Sequence, residues 1–249
     1  MKLKLVAALL GLTACVPAFA DSFVQNSSAP SIIGATPGSE QSLQTIVDNL
    51  FVGSGINVNN DQSSAGMFAS TTPSAASSIP TLVAEFTDNA ASQSFGIWFG
   101  TDTTNVISYN LLLGGATATD AVGMTIIGNT LNVFGPTGCG TKFNCGSFTN
   151  SLINASSFGF YFQPSSTSPI YYSLDQLNSG DRKDRFIGFQ NGTSTNWIFA
   201  YEDGTDFDYN DMAVKVESIT AAIPEPETYA LMLAGLGAVG FMSRRRKKA

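Results

Sequence analysis

Trp197-Ile198-Phe199-Ala200-Tyr201, Glu202-Asp203-Gly204-Thr205-Asp206-Phe207-Asp208-Tyr209-Asn210-Asp211 and Met212-Ala213-Val214-Lys215-Val216 follow one another without interruption. The outer two segments have the β-branched and aromatic composition of strands. The ten residues between them hold six side chains with carboxylate or amide oxygens. An apolar strand, a polar loop and a second apolar strand in that order predict an antiparallel hairpin.

The same signal recurs outward from this hairpin. Short apolar segments bounded by Gly, Asn, Asp, Ser and Pro occur at 81–86, 95–99, 106–113, 124–127, 131–134, 158–162, 169–174 and 185–190. Helical periodicity is confined to Leu43, Ile46, Val47, Leu50 and Phe51, with Ser39 as the expected N-cap and Gly53 as the stop. Because strands and helices do not alternate, a parallel sheet is disfavoured. The expected fold is mainly β: an antiparallel β-sandwich or jelly-roll-like domain with one short N-terminal helix. The Ser/Ala/Thr-rich segment 61–80 reads as a flexible connector, and 26–38 as an unpaired lead.

Both ends of the chain are apolar and carry cations. Lys2 and Lys4 precede the greasy stretch Leu5 to Leu12, and Ala18-Phe19-Ala20 offers the small residues a signal peptidase reads, so residues 1–20 are expected to be a signal peptide. Leu12-Thr13-Ala14-Cys15 also fits the box that precedes a lipidated cysteine, which leaves lipoprotein processing open. At the other end Pro224-Glu225-Pro226 precedes an uncharged run, 229–242, and the cluster Arg244 to Lys248. At ~1.5 Å per residue such a run spans about 21 Å, short of the ~30 Å hydrocarbon thickness. The run is expected to be a short, marginal transmembrane helix with its basic end cytoplasmic.

This ending resembles the PEP-CTERM sorting signal of Gram-negative bacteria, which an integral-membrane protease of the exosortase type recognises. The resemblance covers residues 224–249. It implies export across the inner membrane, a transient membrane anchor, cleavage near Pro224, Glu225 and Pro226, and delivery of the upstream domain to the cell surface or an exopolysaccharide matrix. The exported domain is then 21–223.

Once both ends are removed, that domain retains five cations (Lys142, Arg182, Lys183, Arg185 and Lys215) against seventeen acids, a net charge of −12 rather than the whole-chain −7. Such a surface repels nucleic acid and anionic lipid and suits divalent cations and neutral or cation-bridged polysaccharide. Two cysteines remain, Cys139 and Cys145. In an oxidising compartment they are expected to close a small disulfide ring across a turn.

The chemistry concentrates in the hairpin loop. Five carboxylates crowded into it repel one another unless a hard cation offsets the charge, and calcium takes six to eight such oxygens. Glu202, Asp203, Asp206, Asp208, Asn210 and Asp211 are therefore the candidate Ca²⁺ ligands. Asp206-x-Asp208-x-Asn210 opens as an EF-hand does, with Glu217 at the twelfth position. The sixth position, which demands glycine, is Asp211, and a strand over 212–216 would carry Glu217 about 20 Å away. A calcium loop of the β-hairpin kind is left, beside the alternative of an Asx-rich turn that bonds its own backbone.

The segments Tyr171-Tyr172-Ser173, Phe186-Ile187-Gly188-Phe189, Trp197 to Asp203 and Asp206 to Asp211 also resemble a family of bacterial extracellular domains that close on an acidic hairpin, a resemblance covering 158–217. It places Glu202, Asp203, Asp206, Asp208, Asn210 and Asp211 on the family's acidic hairpin. Tyr201 stands where the family has phenylalanine, and the loop between Asp203 and Asp206 is short. The family brings no established activity.

Catalysis has little to work with. Zero histidines removes Ser-His-Asp and Cys-His arrangements, and neither Gly-x-Ser-x-Gly nor a P-loop occurs. Glu85 or Glu202 with a partner carboxylate leaves a glycosidase as the remaining enzymatic reading. The chain is expected to be a non-enzymatic surface or biofilm-matrix protein. The alternative is a calcium-dependent carbohydrate-binding module stacking sugars on Trp98, Trp197, Tyr171 or Tyr172.

Overall fold

Among the residues described by the computed structural model (23, 30–33, 40–71, 76–78, 81–84, 91–135, 138–180, 184–222 and 236), every strand pairing is antiparallel. In chain order these residues form α1 (Leu43–Leu50), β1 (Phe68–Ser70), β2 (Ala76–Ser78), β3 (Thr81–Ala84), β4 (Ser94–Asp102), β5 (Asn105–Leu112), β6 (Gly123–Ile127) and β7 (Thr130–Phe134). β8 (Gly146–Thr149), β9 (Gly159–Gln163), β10 (Tyr171–Tyr172), β11 (Phe186–Gln190), β12 (Trp197–Tyr201), β13 (Met212–Val216) and β14 (Ile219–Ala221) follow. The sheets run β10-β9-β4-β5, β11-β12-β13-β3 and β2-β6-β7-β8, with β1 and β14 as a separate pair.

Strand alternation explains how these sheets share one core. On β12, Trp197, Phe199 and Tyr201 point one way and Ile198 and Ala200 the other, as a pleat requires. The first set joins Phe95, Ile97 and Phe99 of β4 and Phe160 and Phe162 of β9 in the main apolar cluster. Ring centroids of Phe160 and Phe199 lie 5.0 Å apart, and those of Phe162 and Tyr201 5.3 Å apart, so the two sheets pack face to face. Met124, Ile126, Leu131 and Val133 of β6 and β7 close the same cluster from the third sheet. This is consistent with a β-sandwich whose core is largely aromatic. Each fully buried Phe contributes roughly 1.5–3 kcal/mol relative to exposure.

The opposite face of β12 is covered by α1. Leu43 and Val47 pack with Ile187, Phe189, Ile198 and Ala200, a helix face laid on a sheet face. Ser42, not Ser39, caps this helix, its Oγ accepting from Thr45 N–H at 3.3 Å. Ser39 lies outside the described residues. On the outer face of the β4–β9 ladder, two glycines make room for rings. A Cβ on Gly159 would lie 2.3 Å from the Trp98 indole, and one on Gly96 would lie 2.2 Å from the Tyr161 ring.

Three expectations need correction. Segment 61–80 is not only a connector: it contributes β1 and β2, because Phe68–Ser70 finds backbone partners in Ile219–Ala221 and Ala76–Ser78 in Met124–Ile126. The lead 26–38 is tied down where it is described, since Pro30 O accepts from Gln62 Nε2 at 2.8 Å and Ile33 N–H donates to Phe207 O at 2.8 Å. The segment 169–174 yields only the two-residue β10, followed by a 3₁₀ turn at Asp175–Leu177.

The predicted signal peptide, the lipidation box and the Pro224-Glu225-Pro226 triplet lie outside the described residues. So does the predicted span 229–242, apart from Leu236. Among the described residues no helix is long and apolar enough to cross a membrane.

Candidate metal centre

The last ladder pair of β12 and β13 is Tyr201 with Met212, so residues 202–211 form the connecting loop. Their own side chains brace it. Glu202 N–H donates to Arg185 O at 3.1 Å, which extends the pairing with β11 by one residue and fixes where the Glu202 carboxylate begins. Glu202 Oε1 accepts from Gly204 N–H at 2.7 Å and Oε2 from Tyr209 N–H at 3.3 Å. Asp211 Oδ2 accepts from Asp203 N–H at 2.6 Å, tying the two ends of the loop together.

Phe207 and Tyr209 have φ of 55° and 56°, left-handed backbone on either side of Asp208. Tyr209 holds its conformation through a ring buried against α1 and a hydroxyl that donates to the Asp184 carbonyl. Phe207 lies under the Arg185 guanidinium, 4.8 Å from the ring centroid.

This twist gathers three carboxylates. One oxygen from each of Glu202, Asp206 and Asp208 lies within 4.8 Å of the others. Oxygens bound to one calcium at about 2.3–2.6 Å are at most about 5 Å apart, so the three fit a single coordination sphere. Glu202 and Asp208 are buried while Asp206 is exposed, leaving the cluster one open side. Asp208 Oδ2 and Asn210 Oδ1 are buried and lack any hydrogen-bond partner, the state that costs most for a polar oxygen inside a protein.

The electrostatics carry the mark of this crowding. Burial pushes the Glu202 carboxyl up, with the charges of Asp206 and Asp208 adding to it. Asp208 is pushed up first by burial and then by Asp206 and Glu40. Asp211 is pushed up to about 8, again chiefly by burial, with Asp203, Glu202 and Asp208 contributing. Arg185 offsets part of this, its Nη1 standing 3.8 Å from Glu202 Oε1 and donating to the Gly204 carbonyl.

Of the six residues expected to act together, Glu202, Asp206 and Asp208 bring their carboxylates together, and Asp211 and Asn210 also brace the loop. Asp211 braces the loop end through the Asp203 amide, and the Asn210 amide is oriented by its Nδ2 donating to Gln41 O at 3.1 Å. Glu217 is not a ligand in EF-hand fashion. It stands past the end of β13 and pairs with Lys215 at 2.6 Å. Sequence reasoning missed Arg185 and Gln41, which reach the loop from other elements. The one signal for Arg185 was its being one of five cations in an acidic domain.

The remaining candidates divide cleanly. Cys139 and Cys145 form the expected disulfide, closing a six-residue separation. Trp98 and Trp197 are 0% and 1% exposed, so neither offers a ring to a sugar. Their indole N–H groups are spent internally, on Ser173 Oγ at 3.3 Å and Ile219 O at 3.2 Å.

No curated protein and no solved structure matches the chain. Residues 222–247 match the PEP-CTERM protein-sorting motif, and the chain thus carries a signal that implies export, surface or extracellular placement, and processing by an exosortase, a membrane protein.

Proposed function

We propose that the chain is a structural protein of the cell surface or exopolysaccharide matrix of a Gram-negative bacterium, whose β domain is stabilised by calcium held at Glu202, Asp206 and Asp208. The sorting motif supports the destination. The cation reading rests on one observation: three carboxylate oxygens within 4.8 Å of one another, with the buried Asp208 Oδ2 left without a partner. An all-oxygen donor set suits a hard cation, and there is no histidine in the chain to favour zinc.

Calcium modules that work outside cells bind with dissociation constants of about 10⁻⁴–10⁻³ M. At 10 mM calcium, a ten- to hundredfold excess over such constants, binding adds about 1.4–2.7 kcal/mol to stability. For a domain of this size that corresponds to roughly 3–10 °C in melting temperature. Thermal denaturation in 10 mM CaCl₂ should therefore exceed that in EDTA by this margin, with equimolar MgCl₂ giving less. Identical melting curves would remove the cation from the proposal. A glycan array run with and without EDTA separates structural stabilisation from sugar binding, and the burial of Trp98 and Trp197 favours silence in both conditions.

A further inference from the structure

The acidic loop is gripped from the far end of the chain. Ile33 N–H donates to the Phe207 carbonyl at 2.8 Å, and Asn210 Nδ2 donates to the Gln41 carbonyl at 3.1 Å. One residue past Gln41, Ser42 caps α1, which lays Leu43 and Val47 in the apolar cluster that contains Tyr209. The residues gripped are interleaved with the candidate ligands: Phe207 lies between Asp206 and Asp208, and Tyr209 between Asp208 and Asn210. The left-handed backbone at 207 and 209 that accompanies the gathered carboxylates also shapes the surface the N-terminal segment holds.

We propose that the cation centre and the N-terminal segment form one latch, in which a divalent cation at Glu202, Asp206 and Asp208 fixes the loop shape that Ile33, Gln41 and α1 grip, while docking of that segment tightens cation binding. The latch rests on the cation reading above. Coupling of this kind is reciprocal, because whatever one event contributes to the other is returned by the same factor. Without a cation, mutual repulsion of the carboxylates loosens the loop and with it the hold on α1. The apolar face of Ile187, Ile198 and Ala200 then loses its cover. A chain made where free calcium is scarce and delivered where it is plentiful would thus close its latch only after export.

Hydrogen exchange with mass-spectrometric readout, on the full chain in CaCl₂ and in EDTA, tests this, with terbium luminescence reporting occupancy independently. Calcium should slow exchange in residues 43–51 as well as in 202–211, and Asp206→Asn, which removes a ligand but no latch contact, should abolish both effects. Val47→Ala removes no ligand atom yet should weaken calcium binding about 3- to 10-fold. Ile33→Pro, at a side chain that is 57% exposed, removes the N–H to Phe207 without touching a ligand or α1 and should weaken binding in the same direction even if Val47→Ala fails to fold. Bound terbium with protection confined to 202–211, or affinity unchanged in the folded variants, would overturn the latch and leave the cation site standing. Absence of terbium binding would overturn both.

Discussion

Asp208 is the residue on which the loop turns. Two non-glycine neighbours in left-handed backbone cost on the order of 1 kcal/mol or more each, and such strain persists only where surrounding contacts over-determine it. Here the contacts are the Arg185 guanidinium over Phe207, the Ile33 N–H on the Phe207 carbonyl and the buried Tyr209 ring. The result is a buried carboxylate with one oxygen accepting from Asn210 N–H at 3.3 Å and the other unpartnered. Asp208→Asn keeps the shape and removes the charge. In EDTA at pH 7 the variant should melt a few degrees above the parent, because a carboxyl held up by burial is relieved of its ionisation cost. In CaCl₂ the order should reverse, since the variant gains nothing from the cation. Paired melting curves in the two buffers check both halves, and a variant that still gains from calcium would exclude Asp208 as a ligand.

At the scale of single elements, the β4–β5 turn offers a contrast with the acidic loop. Asp102 Oδ1 accepts from the backbone N–H of Thr104 at 2.9 Å and of Asn105 at 3.0 Å, and Oδ2 accepts from Asn105 Nδ2 at 2.6 Å. Bonds from the Thr104 and Asn105 side chains, then the Thr104 amide, hold this carboxyl well below the usual range. A depressed folded-state value contributes stability above the unfolded value of about 3.9 and loses it as pH falls through the folded value. The stability difference between the parent and Asp102→Ala should therefore be constant above about pH 5 and shrink as pH drops below 4, measured by urea denaturation across that range. A difference independent of pH would mean the turn is held by its backbone alone. The same comparison explains what was legible in the sequence. Long strands announce themselves, because a pleat buried on both faces needs apolar residues throughout, as β12 and β4 do. Phe68-Ala69-Ser70 and Ala76-Ser77-Ser78 carry no such pattern, and their strand character comes from partners at Ile219–Ala221 and Met124–Ile126. The acidic loop was legible from its density of oxygens. The division of labour within it was not, since the groups that orient Glu202 and Asn210 are Arg185 and Gln41, and the latter is 169 residues away from Asn210.

For the molecule as a whole, the destination and the interior are written in separate parts of the chain. The interior is an aromatic cluster shared by three sheets, with one disulfide and one acidic loop at its margin. The sorting motif at 222–247 begins where the described part of that interior stops: Ala222 N–H donates to Met67 O at 2.9 Å, and Ile219 of β14 is the last buried residue of the main cluster among the described residues. Processing near Pro224, Glu225 and Pro226 would therefore cut past this bond and leave every strand pair among the described residues intact. It would also strip the five cations of residues 244–248 from the chain, so the released domain would be more acidic than its precursor. Intact-mass measurement of the protein recovered from the cell surface or culture medium should give a C-terminus close to Pro226. Its melting temperature and its response to calcium should match those of the uncleaved chain, because every strand pair and every core-cluster residue among the described residues lies before the cut. Recovery of extracellular protein that still ends at Ala249 would refute processing, and a processed form that melts well below its precursor would show that the tail contributes to the fold.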